Sequence, residues 1–327
     1  MGFQMNRDDW ERIVCAEQGG LYESNYLKAN SPDGRWGLWI KHNLLRPVEG
    51  VGFGEFWFIL SSPDAAPIVA KKELPFSQIQ VSPEEVSIRT DTIQLTPTQA
   101  TGSIADIHWS LQLSGADKPL LHFPWDWMYT APFPKKKAIT PAPHLCFDGK
   151  IQIGDKTIDV NGWEGLRGHN WGKEHAWTYA YGNCHLWDDD HRRTIDAFSA
   201  KIRLPGGLKS PWLSTTIARN PDHDFNQPNR WFDDVTLTPT SWTLQGSNHC
   251  LHMQTQPEHM VGLRYAHPNG NESYCYNTKF ASVLWEVGGS KFQSNKGEFE
   301  SLFPDPVANI KLHPTPGWDP SQGDYKA

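Results

Sequence analysis

The sequence is short of several features that would place a protein quickly. Its five cysteines, Cys15, Cys146, Cys184, Cys250 and Cys275, form no C-x-x-C pair, and their number is odd. This excludes a zinc ribbon and argues against a disulfide framework, so buried reduced thiols are expected. No stretch approaches the ~20 apolar residues of a membrane-spanning helix. Met1 to Trp10 carries charge and no apolar core. No signal peptide is read there, and a cytoplasmic location is expected. Positive charge is the minority sign, 30 Lys+Arg against 37 Asp+Glu, and no basic run exceeds Lys135-Lys136-Lys137. A nucleic-acid partner needs a basic face to neutralise phosphates, so none is expected. H-E-x-x-H, G-x-S-x-G and a phosphate loop are all missing, which removes the commonest metalloprotease, hydrolase and nucleotide chemistries.

Helical periodicity is equally scarce. The one candidate is Arg7 to Glu17, with Asp8 or Asp9 as cap and Trp10, Ile13 and Val14 on one face. The sequence is rich instead in aromatics and turn formers: 16 Trp, 15 Phe and 9 Tyr beside 27 Gly and 25 Pro. Aromatic residues suit strands, and Gly and Pro suit the turns between them. Short alternating runs recur at regular spacing. In the first half they include Arg35 to Asn43, Gly54 to Leu60, Ile68 to Leu74 and His108 to Ser114. In the second they include Ala176 to Trp187, Thr194 to Leu204, Trp212 to Ala218 and Tyr274 to Val287. Phe123 to Pro143, broken by prolines, reads as irregular; Asn220 to Asn229 reads as a polar loop. The Pro-rich tail from Phe303 is expected to drape over the surface. The pattern predicts an all-β chain of two antiparallel β-barrels, residues 1–172 and 173–327, rather than βαβ units.

Chemistry concentrates in Trp163 to Trp187. This segment holds Glu164, Arg167, His169, Asn170, Trp171, Lys173, Glu174, His175, Trp177, Tyr179, Tyr181 and His185, punctuated by glycines that permit a sharp bend or close backbone approach. In the strand that follows, His175, Trp177, Tyr179 and Tyr181 share one parity and Ala176, Thr178, Ala180 and Gly182 the other. A face of rings with polar tips fits a ligand cavity better than a dry core. His169 and His175 are six apart, a spacing that serves a metal only if the chain folds back. A hydrogen-bonded structural histidine is the expectation for each, and no metal is predicted. His169, Asn170 and Trp171 also suit a purely structural role, locking the junction of two barrels.

The run Gly168-His169-Asn170-Trp171-Gly172, followed by Glu174-His175 and an aromatic strand, resembles the AttH-type and carotenoid 1,2-hydratase family. More distantly it is similar to tocopherol cyclases and fungal lipocalin-like cyclases. The resemblance implies two tandem lipocalin-like (calycin-type) barrels and a hydrophobic, isoprenoid-like small molecule as partner. It also implies proton-initiated hydration or cyclisation of a carbon–carbon double bond without a cofactor. Such chemistry needs a protonated acid, a dry aromatic pocket and a positioned water or hydroxyl. On this reading Glu174 is the first candidate acid and Glu164 the alternate. His169 and His175 polarise the acid or hold water. Trp163, Asn170, Trp171, Trp177 and Tyr179 form the ligand wall. The Tyr-x-Asp pair of the hydratases has no counterpart here, since Tyr179 is followed two residues on by Tyr181. Two other classes fit the same composition: a non-catalytic lipid carrier, and a tryptophan-platform carbohydrate binder. Oligomeric state is left open.

Overall fold

The computed structural model of the chain describes residues 12–16, 19–189, 193–219, 224–231, 233–315 and 317–327. Most of the helix expected over Arg7–Glu17 lies outside them; inside them, Val14–Ala16 forms a single 3-10 turn. Strand dominates the rest, in two curled antiparallel sheets, each a lipocalin-like half-barrel.

The first sheet runs in the order Ala65–Pro75, Phe53–Ser62, Gly37–Arg46, Leu21–Asn30, Lys156–Gly172, Lys136–Ile153, Ile107–Ser114 and Gln99–Ile104, with short strands beyond. The second runs Asp224–Trp231, Leu213–Arg219, Thr194–Lys201, Thr178–Cys184, Ser290–Phe303, Glu272–Val287, His249–Gln254 and Ser241–Gln245, ending on Asp234–Thr238. The two halves repeat one plan. In each, the first long strand pairs with the last strand of a long hairpin, Leu21–Asn30 with Lys156–Gly172 and Thr178–Cys184 with Ser290–Phe303. Each long hairpin carries register shifts. A bulge bends its strand and raises the local twist, which lets strands of this length curl.

Three segments expected to be irregular are more ordered than their composition suggests. The irregular segment expected from Phe123 to Pro143 ends early, because the strand starts at Lys136 and runs through Pro141 and Pro143. Both prolines sit inside register shifts, between Ile139 and Ala142 and between Ala142 and Leu145. A proline there forfeits no ladder hydrogen bond. The polar loop of Asn220–Asn229 becomes strand from Asp224. The tail does more than drape: Tyr325–Lys326 pairs with Ala65–Pro75 as an edge strand of the first sheet, and Lys326 Nζ bridges Asp106 at 2.6 Å.

The central strands are buried on both faces. Along Leu21–Asn30, Leu27 and Ala29 enter the core of the first sheet, with Phe58, Trp109 and Phe147. Tyr22 and Tyr26, of the other parity, face the second sheet. Along Gly37–Arg46, Leu38 and Ile40 point inward, while Trp39 packs outward with Trp57, Tyr179, Tyr265 and Leu302. The core of the second sheet is built on Trp187, Trp242, Met253, Trp285 and Phe299. The two sheets therefore meet through an aromatic layer, where each large side chain taken from water contributes roughly 1.5–3 kcal/mol. No helix among the described residues is long and apolar enough to cross a membrane.

Candidate functional site

Between the two sheets lies a cavity of about 380 Å³. Tyr22, Tyr26 and Trp39 wall it from the first sheet; Tyr179, Tyr181 and Phe198 wall it from the second. The bent segment before Lys136 adds Phe123, Trp125, Met128 and Phe133. Trp125 and Phe133 line the cavity yet are 59% and 52% exposed, so they mark its rim. A largely apolar concavity with a few converging polar groups is the usual form of a small-molecule site.

The polar groups come in pairs. The Tyr179 hydroxyl donates to Glu300 Oε1, and Asn277 Nδ2 donates to Glu300 Oε2 at 3.3 Å. Asn277 Nδ2 also reaches Glu298 Oε1 at 2.8 Å. Glu298 is bridged by Lys28 and, at 3.1 Å, by Lys279, all three side chains being buried. Those two cations hold the Glu298 carboxyl down at about 2 against a burial effect that would raise it. On the first sheet, Lys41 Nζ donates to the Tyr265 hydroxyl and lies 4.5 Å from the Trp39 ring centroid. Lys136 Nζ lies 4.0 Å above the Tyr179 ring. Burial pushes the Tyr179 and Tyr265 hydroxyls far above the ordinary phenol range, so both keep their protons.

His175 stacks on Tyr22 with ring centroids 3.8 Å apart and meets His267 edge-on at 4.7 Å. Burial first, then His267, Lys136 and Lys41, holds its imidazole neutral, well below the usual histidine range. A second histidine on the wall, His122, contacts Thr140 Oγ1 at 3.3 Å, and that hydroxyl donates to buried Asp196 at 2.6 Å.

The structure divides the residues singled out in sequence. His175, Asn170 and Tyr179 line the cavity. His169 and Trp171 do not, because Lys156–Gly172 is a strand and they lie on the face opposite Asn170. His169 Nε2 contacts Glu23 Oε1 at 2.7 Å and its ring stacks on Trp171 at 4.6 Å. Glu23 in turn accepts from the backbone N–H groups of Val14 and Cys15 at 3.0 and 2.6 Å. The pair ties the N-terminal turn to the sheet. Trp163 belongs to the first core, and Trp177 is covered by the Lys209 ammonium at 3.4 Å.

Glu174 lies outside this cavity. It bridges Lys135 at 2.7 Å and Arg203 at 3.0 Å. Partial burial pushes its carboxyl up, but the hydrogen bonds from those two cations outweigh it and hold it below the usual range. A group so held is a carboxylate near neutral pH, not a proton donor. The alternate, Glu164, faces His144 at 3.8 Å and does not line the cavity either. Of the glycines in this segment, Gly162 takes a positive φ of 60°, while Gly165 and Gly172 lie in extended strand and serve close backbone approach, to the Lys28 and Lys135 carbonyls. A Cβ on Gly168 would overlap the Tyr26 ring.

The cavity residues that the sequence reading passed over are Lys41, Lys136, Tyr265 and Glu300. Their signal was a charge or hydroxyl set among rings: Trp39 and Lys41 share a parity, as do Tyr179 and Tyr181. No group of three or more His, Cys, Asp or Glu placed to hold a metal occurs among the described residues.

The arrangement of two curled sheets around a shared cavity matches known structures. A protein of Nitrosomonas europaea assigned as AttH superposes with a TM-score of 0.59 at 10% identity, covering 93% of this chain and 97% of that one. The chain has the AttH fold. Kievitone hydratase from Nectria haematococca shares this fold at a TM-score of 0.51 and 9% identity, over 87% of this chain and 89% of its own. CghA, solved with Sch210972, does so at 0.53 and 9%, over 86% and 88%. In sequence, the uncharacterised protein Rv0493c of Mycobacterium tuberculosis is 25% identical over 278 residues, 83% of this chain and 82% of the relative. No family model matches the chain.

Proposed function

We propose that this protein takes a hydrophobic, isoprenoid-like small molecule into the cavity between its sheets and hydrates or cyclises it by proton transfer, with no cofactor in the reaction. The observation that carries the reading is the Tyr179–Glu300 pair on the wall of an aromatic cavity. Among the carboxylates on that wall, Glu55 is bridged by Lys71, whereas Glu300 accepts hydrogen bonds from the Tyr179 hydroxyl and the Asn277 amide.

When Glu300 carries the proton, its contact with Tyr179 runs in reverse. Tyr179 gives its hydroxyl proton to one alkene carbon and takes the Glu300 proton, so a C–H bond forms and the π bond breaks. The cation at the other carbon is met by water or by an internal hydroxyl. The proton released returns to Glu300 through solvent. Rings on the cavity wall stabilise the cation by roughly 1–2 kcal/mol each in a desolvated site. The fold shared with kievitone hydratase supports the reaction class.

Incubation with prenylated phenols or polyenes in deuterated water tests the reading. Deuterium should enter the product, and Glu300→Gln should abolish its entry while ligand binding persists. Tight retention of ligand in native mass spectrometry with no deuterium entering any probe would leave a carrier.

A further inference from the structure

Five lysines stand in the layer between the sheets, and three of them are bridged by carboxylates. Lys28 and Lys279 bridge Glu298; Lys71 bridges Glu55 at 2.5 Å and Glu73 at 2.9 Å. Lys41 and Lys136, the two on the cavity wall, are bridged by no carboxylate among the described residues. Lys41 has the Tyr265 hydroxyl and the faces of Trp39 and Tyr265; Lys136 has the face of Tyr179. Glu300 is the carboxylate nearest both in effect, and both its oxygens are already taken, by Tyr179 and Asn277. As a carboxylate it offsets one lysine of the two; carrying the proton of the proposed reaction, it offsets neither. An ammonium withdrawn from water without an anion is costly, and proteins rarely retain one without a use. Here the wall keeps two, Lys41 buried and Lys136 half-buried, both against a space large enough for a small molecule.

We propose that the cavity is built for a hydrophobic molecule bearing an acidic oxygen group, a carboxylate or an ionised enol, and that Lys41 and Lys136 receive that group. This rests on the reading of the cavity as the ligand site and adds the chemical class of the ligand. It also removes a conflict within that reading. Two uncompensated ammonium groups would oppose any carbocation formed beside them, and an anionic head group on the substrate cancels that opposition. The apolar body of the ligand then lies along Phe198, Leu213 and Ile202, toward the rim at Trp125 and Phe133.

Calorimetric titration of the full chain with farnesoic acid, methyl farnesoate and farnesol separates the possibilities, because the three share one apolar body. The acid should bind at least about tenfold more tightly than the ester or the alcohol, the scale of one hydrogen bond to a charged group. Lys136→Met and Lys41→Met should each lower the affinity for the acid toward that of the ester, and leave the ester little changed. The comparison in the unaltered protein stands even if a variant fails to fold. Equal affinity for acid, ester and alcohol overturns the proposal while leaving the cavity as a ligand site. If none of the three binds, the cavity reading falls and this proposal falls with it.

Discussion

Tyr179 donates its hydroxyl to Glu300 although the two are not partners in the ladder: Tyr179 lies opposite Leu302, and Glu300 opposite Tyr181. Diagonal neighbours on one face of an antiparallel pair lie within reach of long side chains. The offset releases the Tyr181 hydroxyl, which receives Lys28 Nζ at 3.3 Å and Asn183 Nδ2 at 3.0 Å. Two adjacent tyrosines of one strand thus serve different carboxylates, Tyr179 the Glu300 of the cavity and Tyr181 the buried Asp196 at 3.4 Å.

Removing the Tyr179 hydroxyl should show this division. Tyr179→Phe leaves buried Glu300 one donor short, which should cost about 1–3 kcal/mol in chemical denaturation. It should also slow deuterium entry by a factor of roughly 10²–10⁴, the usual worth of a positioned acid or base, with ligand affinity nearly unchanged. Full turnover in this variant would refute the relay.

Glu174 provides the contrast. Its two ion pairs lie near the surface, where such contacts are worth ~0–1 kcal/mol each. Glu174→Gln should therefore lower stability by no more than about 2 kcal/mol and leave deuterium entry at the normal rate. A loss of activity as deep as that of Glu300→Gln would return the acid to Glu174.

The difference between these two glutamates shows what was legible in the sequence. Alternation placed Tyr179 and Tyr181 on one face and Ala180 and Gly182 on the other, and the structure agrees: the tyrosines line the cavity, while Ala180 joins the second core. The Gly168–Gly172 run pointed to the right fold. The faces of its residues were not readable, because dense chemistry in sequence says nothing of which side a strand turns to its neighbour. Lys41 and Glu300 were missed for a related reason. A charge alternating with apolar residues reads as a solvent face, and here a second sheet covers that face. The docking of one sheet on another is non-local, and no single strand's pattern records it.

Gly168 holds a further dependence of the site on the motif. The Tyr26 ring packs over Gly168, where the strand has no side chain. Gly168→Ala should force the ring aside at a cost of about 1–3 kcal/mol, as overpacking does. Since Tyr26 lines the cavity, ligand affinity should fall as well. Unchanged stability, measured by urea denaturation, would mean that the ring has another place to go.

The buried triad of Lys28, Glu298 and Lys279 should behave as a unit. Glu298→Gln strands two ammonium groups and should destabilise the protein by about 3–5 kcal/mol. Replacing all three by apolar residues of similar volume should recover most of that loss, since the desolvation cost disappears with the charges. Equal losses in the single and triple variants would show that packing, not charge, is at stake.

The last prediction concerns acid. The ring N–H of His185 donates to the Pro143 carbonyl at 2.5 Å, beside the bulged strand. Burial, reinforced by Lys28 and His144, pushes its pKa down to about 3, and burial alone brings His42 down to about 4. Unfolded, a histidine takes up a proton near pH 6.5. Between that value and the folded pKa, unfolding therefore absorbs a proton. The stabilisation from the neutral ring is complete above about pH 6.5 and is lost as pH falls, by about 1.4 kcal/mol per pH unit for each such histidine. His185→Gln keeps a donor for Pro143 and cannot titrate. Its unfolding free energy, compared with that of the unaltered protein between pH 6 and pH 4, should decline less steeply by about one proton's worth. Parallel declines would mean that His185 is already charged in the folded protein, or already free of its proton in the unfolded chain.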